Sequence, residues 1–294
     1  MPSGRQSLQE RKGGSIWGYG SGSGDVVMSV DAVEREAQRL AQEAPDLARL
    51  ESLVVGAPLL ALDQLHAGYG NMEIVHGLNL RVGKGQALCL IGPNGAGKST
   101  VLHAIYGFAT IMSGKVIVDG KEITHLSANR KLREAGVAYI LQDNSVFPEM
   151  TVEENLWMGG FLKANSAEAR SAAERVFERY PRLAERRSQA ARVLSGGERR
   201  LLEISRALVM DPQVLLVDEP SIGLEPRYIN MVFEILAELR EREGKTIVMV
   251  EQNAKKGLAF ADIGYVLVSG QLAMAGPSRE LLEDPAVARL FLGG

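Results

Sequence analysis

The chain has 294 residues, of which 46% are hydrophobic and 23% are charged, and its formal net charge is −3. This length suits one large domain or two small ones, and the composition is ordinary for a soluble globular protein. The charge gives no reason to expect nucleic acid as a partner, and no apolar run approaches the roughly 18 residues that cross a bilayer.

Residues 1–56 are predicted to be an N-terminal extension, followed by one large domain over residues 57–294. Residues 1–28 are rich in glycine and serine, which is typical of a disordered tail, and they lack the apolar core of a secretory signal. Trp17 and Tyr19 leave partner binding open as the alternative. Met28 is an alternative natural start of the chain.

A helix is predicted directly after this tail. Asp31 and Glu34 have the spacing of a capping box, apolar residues then recur at helical spacing, and Pro45 ends the run. A shorter apolar set follows over residues 47–53. The sequence leaves two interpretations open, since this arm either rests on its own domain or in solvent, or serves as a docking or regulatory element.

Two strand-like runs within residues 59–82 predict an antiparallel subdomain, and residues 86–91 are typical of a short, buried parallel strand. The single cysteine, Cys89, lies in this buried strand and suits a reducing cytoplasm. The four histidines show no metal-ligand spacing and are interpreted as structural; they are His66, His76, His103 and His125.

The buried strand ends at a glycine-rich motif, GPNGAGKST, over residues 92–100, and a helix is predicted over residues 98–106. Strand, glycine-rich turn and helix form the context in which this motif binds the phosphates of a nucleoside triphosphate. Backbone amides would point into the concavity at the positive end of the helix. Lys98 would reach the β- and γ-phosphates, Ser99 would ligate Mg²⁺, and Thr100 would lie near the α-phosphate. The predicted nucleotide ligands are Asn94, Gly95, Ala96, Gly97, Lys98, Ser99 and Thr100.

Further strands are predicted over residues 115–119 and 136–141, and the chain then becomes helical to about residue 210. Thr151, with Glu154 three residues later, has the spacing of a capping box. We therefore expect an inserted helical subdomain over about residues 145–210.

A second anion site is predicted inside this helical region. The motif LSGGE, residues 194–198, opens a predicted helix that runs to about residue 210. Ser195, Gly196 and Gly197 would leave bare amides at its N-terminus, where an anion binds; the alternative is a simple helix cap. Two phosphate-binding surfaces on one chain are explained by two-fold pairing, in which each surface completes the other subunit's site.

An acidic pair follows the next buried strand, predicted over residues 214–217. Asp218 sits at the carboxyl end of the strand, where ligands collect in an open α/β sheet, and it would hold Mg²⁺. Glu219 would orient or deprotonate an attacking water. A strand over residues 246–250 and a terminal hairpin over about residues 263–275 complete a sheet that is predicted to be mostly parallel.

From about residue 59 to residue 292 the chain resembles the ATP-binding subunits of ABC transporters, through the GPNGAGKST, LSGGE and VLLVDEP motifs in that order. It looks more narrowly like the subunits of branched-chain or hydrophobic amino-acid importers, through AGYG at 67–70, VFPEMTVEEN at 146–155, SIGLEP at 221–226 and VEQN at 250–253. The resemblance implies an α/β fold of the P-loop NTPase class, with a mostly parallel core sheet, an antiparallel β subdomain and an inserted helical subdomain.

The resemblance also implies roles for single residues. Tyr69 would stack on adenine, although a strand-end tyrosine with no such role is the alternative. Gln142 would touch Mg²⁺ and the attacking water and link the site to the membrane partner, the alternative being an ordinary loop amide. Glu225 stands where many members have Asp, which puts its contact with the opposite subunit in doubt.

Gln252 stands where ABC ATPases usually have a histidine that contacts the γ-phosphate. Glutamine donates a hydrogen bond but carries no charge, so the loss should be small, about 1 kcal/mol or roughly fivefold in rate. We expect this chain's own site to hydrolyse ATP slowly, and the substitution favours a related mate with its own histidine over an identical one.

A docking surface is expected just after Gln142, where the resemblance places a cytoplasmic helix of a membrane subunit. The apolar residues that could form it are Val146, Phe147, Met150, Trp157, Met158 and Phe161. The alternative is that these side chains only fill the core of the helical subdomain.

The function that this resemblance implies is an ATP-hydrolysing subunit of a membrane importer, with ATP and Mg²⁺ as cofactors. Its expected partners are a second ATP-binding subunit, integral-membrane subunits and, indirectly, a periplasmic or extracellular solute-binding protein. Its expected location is the cytoplasmic face of the cell membrane. Two alternatives are a soluble ABC-type ATPase that acts as a mechanical factor, and a regulatory module that works through the N-terminal arm.

Overall fold

The computed structural model describes residues 44–142 and 145–291. The tail and the capping-box helix predicted before Pro45 therefore lie outside the described residues. The first described helix is α1, Leu47–Ser52, which begins where the Asp46 carboxylate accepts a hydrogen bond from the Arg49 amide at 2.8 Å. Its Leu50 side chain is fully buried against the antiparallel sheet.

The segment after α1 is fastened to the domain by the side chain of Gln86. The amide oxygen of Gln86 accepts hydrogen bonds from the backbone of Val55 at 3.1 Å and of Gly83 at 2.9 Å. Its amide nitrogen donates to the Leu53 carbonyl at 3.1 Å. Residues 47–55 thus rest on the domain that follows them.

One sheet is antiparallel and has four strands in the order β2-β1-β4-β5. Its strands are β1 Pro58–Tyr69, β2 Met72–Gly83, β4 Thr110–Val118 and β5 Lys121–Glu122. The second sheet has six strands in the order β10-β9-β3-β8-β7-β6. Its strands are β3 Ala87–Ile91, β6 Val137–Ile140, β7 Val214–Asp218, β8 Thr246–Val250, β9 Ile263–Val268 and β10 Gln271–Pro277. All neighbouring strands of this sheet run parallel except the β9–β10 hairpin.

The helices cover both faces of the six-stranded sheet. They are α2 Lys98–Tyr106, α3 Ala128–Ala135, α4 Val152–Gly159, α5 Ser166–Arg179, α6 Pro181–Ala184, α7 Gly196–Leu208, α8 Pro226–Glu243, α9 Ala254–Phe260, α10 Ser278–Glu283 and α11 Pro285–Phe291. The helices α4 to α7 occupy the chain between β6 and β7, as the predicted helical insertion requires. The predicted capping box is present, because Thr151 and Glu154 bond to each other's backbone amides.

Successive side chains of a strand point to opposite faces of a sheet, so alternate residues of each strand are buried on the two sides. Leu88 and Leu90 of β3 pack toward α2 and the antiparallel sheet, whereas Cys89 and Ile91 pack on the other side. Strands buried on both faces carry continuous apolar sequence, and every residue of β3, β7 and β8 is buried. This packing confirms the predicted α/β fold class.

The predictions and the structure differ at the ends of elements. β4 begins at Thr110, five residues before the predicted strand, because its first residues pair with β1. The sequence interpretation omitted α3, α8 and the two C-terminal helices, although α8 has Pro226 in its first turn and Gly244 in a left-handed conformation at its end. In residues 44–142 and 145–291, no helix combines the length and the apolar character needed to span a membrane.

Candidate functional site

The glycine-rich loop joins β3 to α2 and wraps around the side chain of its own lysine. Gly97 has φ 91° and precedes the first turn of α2, so the helix begins at the loop. Lys98 is only 7% exposed, and its Nζ donates to the carbonyls of Gly92 and Pro93, both at 2.9 Å. Burial lowers the pKa of Lys98, and the carboxylates of Glu219 and Asp218 oppose this shift.

The loop lines a cleft of about 360 Å³, the size of a small-molecule site. Most of the predicted nucleotide ligands face it together with one predicted catalytic residue; its lining is Ile74, Asn94, Gly95, Gly97, Lys98, Ser99, Thr100 and Glu219. The side chain of Ala96 is buried, and its amide donates to the Pro93 carbonyl at 3.2 Å. The cleft therefore gathers cationic and hydroxyl groups suited to phosphate beside an acid suited to activating water.

Asp218 ends β7 beside the loop and is 5% exposed. Its Oδ1 accepts a hydrogen bond from the Ser99 hydroxyl at 3.1 Å, and its Oδ2 accepts one from the Tyr139 hydroxyl at 2.8 Å. Burial raises the pKa of Tyr139, and the nearby Asp218 raises it further. A carboxylate and a hydroxyl that face each other are hard oxygen ligands, so this pair fits Mg²⁺.

Glu219 follows immediately and has an unusual backbone. Its φ is 42°, a left-handed conformation that is uncommon for a residue with a side chain, and its amide donates to the Val250 carbonyl at 2.9 Å. Gln142 reaches it from the end of β6, because the Gln142 amide donates to Glu219 Oε2 at 3.0 Å. Two of the three predicted catalytic side chains are therefore in contact.

Gln252, the third predicted catalytic residue, is exposed in the loop after β8. This loop is tied to the loop after β7 by Glu251, which is 2% exposed. Glu251 Oε1 accepts hydrogen bonds from the Ser221 hydroxyl at 2.7 Å and from the Asn253 amide at 2.9 Å. The carboxylate thus fixes the loop of Gln252 relative to the loop of Glu219.

Tyr69 lies at the end of β1 and is 43% exposed. Its hydroxyl shares a hydrogen bond with Nδ1 of His103 on α2, and the two rings meet edge to face at 6.1 Å. Burial lowers the pKa of His103. His66 and His76 both contact the Glu73 carboxylate, at 2.6 Å and 2.9 Å.

The LSGGE motif lies at the start of α7 in a different cleft. Ser195 caps the helix and forms a capping box with Glu198. Gly197 lies under the ring of Tyr228, where a Cβ atom would come within 2.1 Å of the ring. This cleft, of about 320 Å³, includes Arg182, Arg186 and Ser195. Within one chain, the two predicted anion-binding surfaces therefore line separate clefts.

A third, larger cleft contains none of the predicted site residues. It has a volume of about 470 Å³ and lies where α5 and the end of α7 meet the start of β8. Four of its charged residues pair with each other, since Lys245 pairs with Asp211 at 2.5 Å and Arg179 pairs with Glu243. The volume of a cleft therefore does not indicate where the predicted site residues lie.

The residues of the expected docking surface divide into two groups. Phe147, Met158 and Phe161 are 43%, 40% and 76% exposed. Val146 and Trp157 pack partly buried against the core, and Met150 is also partly buried. The guanidinium of Arg206 lies 4.9 Å from the ring centre of Phe147. Glu225, which stands where many members of the family have Asp, precedes α8. Its exposed carboxylate pairs with Arg227 at 3.1 Å.

Sequence reasoning missed Tyr139, Ser221, Glu251 and Tyr228, all of which contact predicted site residues or fix their loops. A tyrosine in an otherwise apolar strand and an acid directly after a buried strand were the available signals. Neither signal identifies its partner, because the partners are more than 25 residues away along the chain.

Comparison with known proteins identifies relatives over most of the chain. The profile of the ABC transporter family matches residues 75–222. The branched-chain amino acid transport ATP-binding protein BraG of Pseudomonas aeruginosa is 41% identical over 236 residues, which are 80% of this chain and 100% of BraG. The probable counterpart LivF of Archaeoglobus fulgidus is 36% identical over 235 residues, 80% of this chain and 99% of LivF.

A solved structure shares the fold. It is an ATP-binding cassette of an ABC transporter in its ADP conformation, and it superimposes with a TM-score of 0.71 at 28% identity. The match covers 81% of this chain and 100% of that one.

Proposed function

The chain belongs to the family of ABC transporter ATP-binding subunits, and from this membership we propose that it drives the uptake of branched-chain amino acids or a related small solute. It is an ATP-hydrolysing subunit of a membrane ABC transporter. The observation that carries the substrate proposal is the match to BraG along the whole length of that protein. Its place in this proposal is the cytoplasmic face of the cell membrane, beneath integral-membrane subunits that receive solute from a periplasmic or extracellular binding protein.

In the proposed site the phosphates lie in the cleft of the glycine-rich loop. Lys98 and the amides at the start of α2 bind the β- and γ-phosphates, and Thr100 lies near the α-phosphate. Tyr69, at the neighbouring end of β1, stacks on adenine. The 7% exposure of Lys98 and its bonds to loop carbonyls support this assignment, since its ammonium is already held inside the loop.

Ser99 and Asp218 would hold Mg²⁺, with Gln142 nearby, and the ion would neutralise charge on the transferring phosphoryl group. Glu219 accepts a proton from a water molecule while the water oxygen bonds to the γ-phosphorus. The bond from that phosphorus to the bridging oxygen breaks, which leaves ADP and phosphate. Gln142 supports this role because its amide already orients the Glu219 carboxylate.

The mate in this proposal is a second ATP-binding subunit, identical or related. Support comes from the separate clefts of the glycine-rich loop and the LSGGE motif, because each chain then holds half of two sites. Ser195, Gly196 and Gly197 of one subunit would cover the nucleotide held by the other. Gln252 would donate a hydrogen bond to the γ-phosphate of its own site.

A hydrolysis-deficient variant tests this arrangement. Glu219→Gln should bind ATP but stall in the closed pair, so light scattering should show a doubled mass with Mg²⁺ and ATP. Lys98→Ala is the control, because it lacks the charge that draws the loop onto the phosphates and should stay monomeric. If Glu219→Gln neither pairs with itself nor with a co-purified mate, alone or in the membrane assembly, the shared-site proposal is wrong.

Transport is tested on the assembled complex. The chain should co-purify with integral-membrane subunits, and proteoliposomes that contain the assembly and its binding protein should accumulate leucine, isoleucine or valine only with ATP. Uptake that persists in the assembly with Lys98→Ala would contradict the role of this chain.

A further inference from the structure

The position of Tyr139 follows from the register of the parallel sheet. β6 and β7 are neighbours, and Tyr139 is directly paired with Leu216. Side chains alternate along a strand, so Leu216 and Asp218 point to the same face as Tyr139. The Tyr139 ring extends along this face, and its hydroxyl meets Asp218 Oδ2 at 2.8 Å.

The ring of Tyr139 packs against three aromatic neighbours. The ring centres of His103 and Tyr106 on α2, and of Phe108 just after it, lie 5.6 Å, 5.5 Å and 5.7 Å away. These distances are typical of favourable aromatic pairs. The hydroxyl is therefore fixed in place by the same helix that follows the phosphate-binding loop.

A carboxylate has two equivalent oxygens and a broad side-chain torsion, so it needs partners to present one oxygen in a defined direction. Asp218 is 5% exposed and receives the Ser99 hydroxyl on Oδ1 at 3.1 Å. We propose that Tyr139 is a positioning residue for Asp218, which occupies Oδ2 so that Oδ1 stays directed toward Ser99. This inference rests on the proposed function, in which Ser99 and Asp218 hold Mg²⁺.

The expected size of the effect follows from other metal sites. Groups that hydrogen-bond to metal ligands typically change metal affinity about 10- to 100-fold when they are removed. A single neutral hydroxyl belongs at the lower end, so Tyr139→Phe should weaken Mg²⁺ binding about tenfold. ATP binding without Mg²⁺ should stay unchanged, because the ring and its packing remain.

The experiment measures the affinity of the full chain for a fluorescent ATP analogue, with Mg²⁺ and with a chelator. The ratio of these two affinities reports the contribution of the metal. Tyr139→Phe should reduce the ratio about tenfold. The matched control is Tyr106→Phe, which removes a hydroxyl from the same aromatic cluster but leaves the Asp218 contact intact, and should leave the ratio unchanged.

Asp218→Asn separates failure of this inference from failure of the proposed function. If Asp218→Asn leaves the ratio at its wild-type value, the proposed metal site is wrong and the inference falls with it. If Asp218→Asn lowers the ratio but Tyr139→Phe does not, only the role of Tyr139 is wrong. A Tyr139→Phe variant that loses affinity equally with and without Mg²⁺ would show a structural role, which also overturns the inference.

Discussion

Lys131 of α3 is a fully buried lysine that contacts the C-terminal end of α2, the helix that follows the phosphate-binding loop. Its Nζ donates to the carbonyls of Ile105 at 2.8 Å and of Ala104 at 3.3 Å. An α-helix leaves its last carbonyls without partners inside the helix, so Lys131 satisfies α2 from outside. Burial lowers the pKa of this ammonium from 10.5 to about 8.

The lowered pKa predicts a pH-dependent stability. Between about pH 8 and pH 10.5 the unfolded chain keeps the proton that folded Lys131 has lost, so the free energy of unfolding rises with pH in this window. Lys131→Met should remove this contribution. Urea denaturation at pH values across the window checks it, with the exposed Lys84→Met as the control. An unchanged slope in Lys131→Met would contradict the prediction.

Gln252 gives the second prediction at this scale. It is exposed and uncharged, so the hydrogen bond that it would donate is neutral on its side, whereas the same bond from a protonated histidine would be charge-assisted. Gln252→His should therefore raise the ATPase rate about fivefold, which corresponds to about 1 kcal/mol. Steady-state hydrolysis by the assembled complex measures this. A rate that does not change would show that Gln252 does not limit hydrolysis.

At the scale of elements, α7 contacts the segment of Gln142 through Arg200, which also belongs to a buried ion pair within the helix. Arg200 and Glu203, with side chains 5% and 6% exposed, lie 2.8 Å apart. Arg200 also donates to the Leu141 carbonyl at 2.7 Å. The helix that begins with the LSGGE motif is therefore bonded to the strand end that carries Gln142.

A double-mutant cycle should expose the cost of breaking this pair. Arg200→Met alone leaves Glu203 buried without its partner and should cost about 3–5 kcal/mol, whereas Arg200→Met with Glu203→Leu should cost much less. Chemical denaturation of the three variants measures the coupling. The exposed pair Arg242–Glu238, with side chains 78% and 40% exposed, is the control and should contribute at most about 1 kcal/mol. Additive losses at Arg200 and Glu203 would contradict the prediction.

The same elements explain how far the sequence predicts this structure. Local signals suffice for β8 and α2, whose observed bounds match the predicted ones, because continuous apolar runs and a glycine-rich turn identify them. They also identify the motif residues that share the cleft with Glu219. They do not identify the first half of β4 or the partners of Asp218, because those depend on pairing between distant strands.

At the scale of the whole molecule, we propose that the exposed aromatic Phe147 is a contact point for a membrane subunit. Its ring is 43% exposed and lies against Arg206 of α7. A movement of α7 at the subunit interface would therefore displace the side chain that packs against Phe147. Docking at the exposed members of the apolar set stays a prediction.

Phe147→Asp should uncouple transport from hydrolysis. A charge at this exposed site should disrupt an apolar contact with a membrane subunit, while nucleotide binding by the isolated chain stays intact. Uptake and ATPase activity of the reconstituted assembly measure the two effects separately. Val55→Asp, at an apolar residue that is 76% exposed before β1, is the control and should transport normally. Normal uptake with Phe147→Asp would exclude docking at this residue.

The insertion of α4 to α7 between two adjacent strands has a mechanical consequence. β6 and β7 stay paired from Val137 and Val214 onward, although the whole helical layer lies between them in the chain. The paired residues of this ladder lie outside the helical layer, so a shift of the layer would not require any of these backbone pairs to break. Side-chain contacts such as the hydrogen bond from Arg200 to the Leu141 carbonyl would oppose such a shift, and single substitutions there should make it easier.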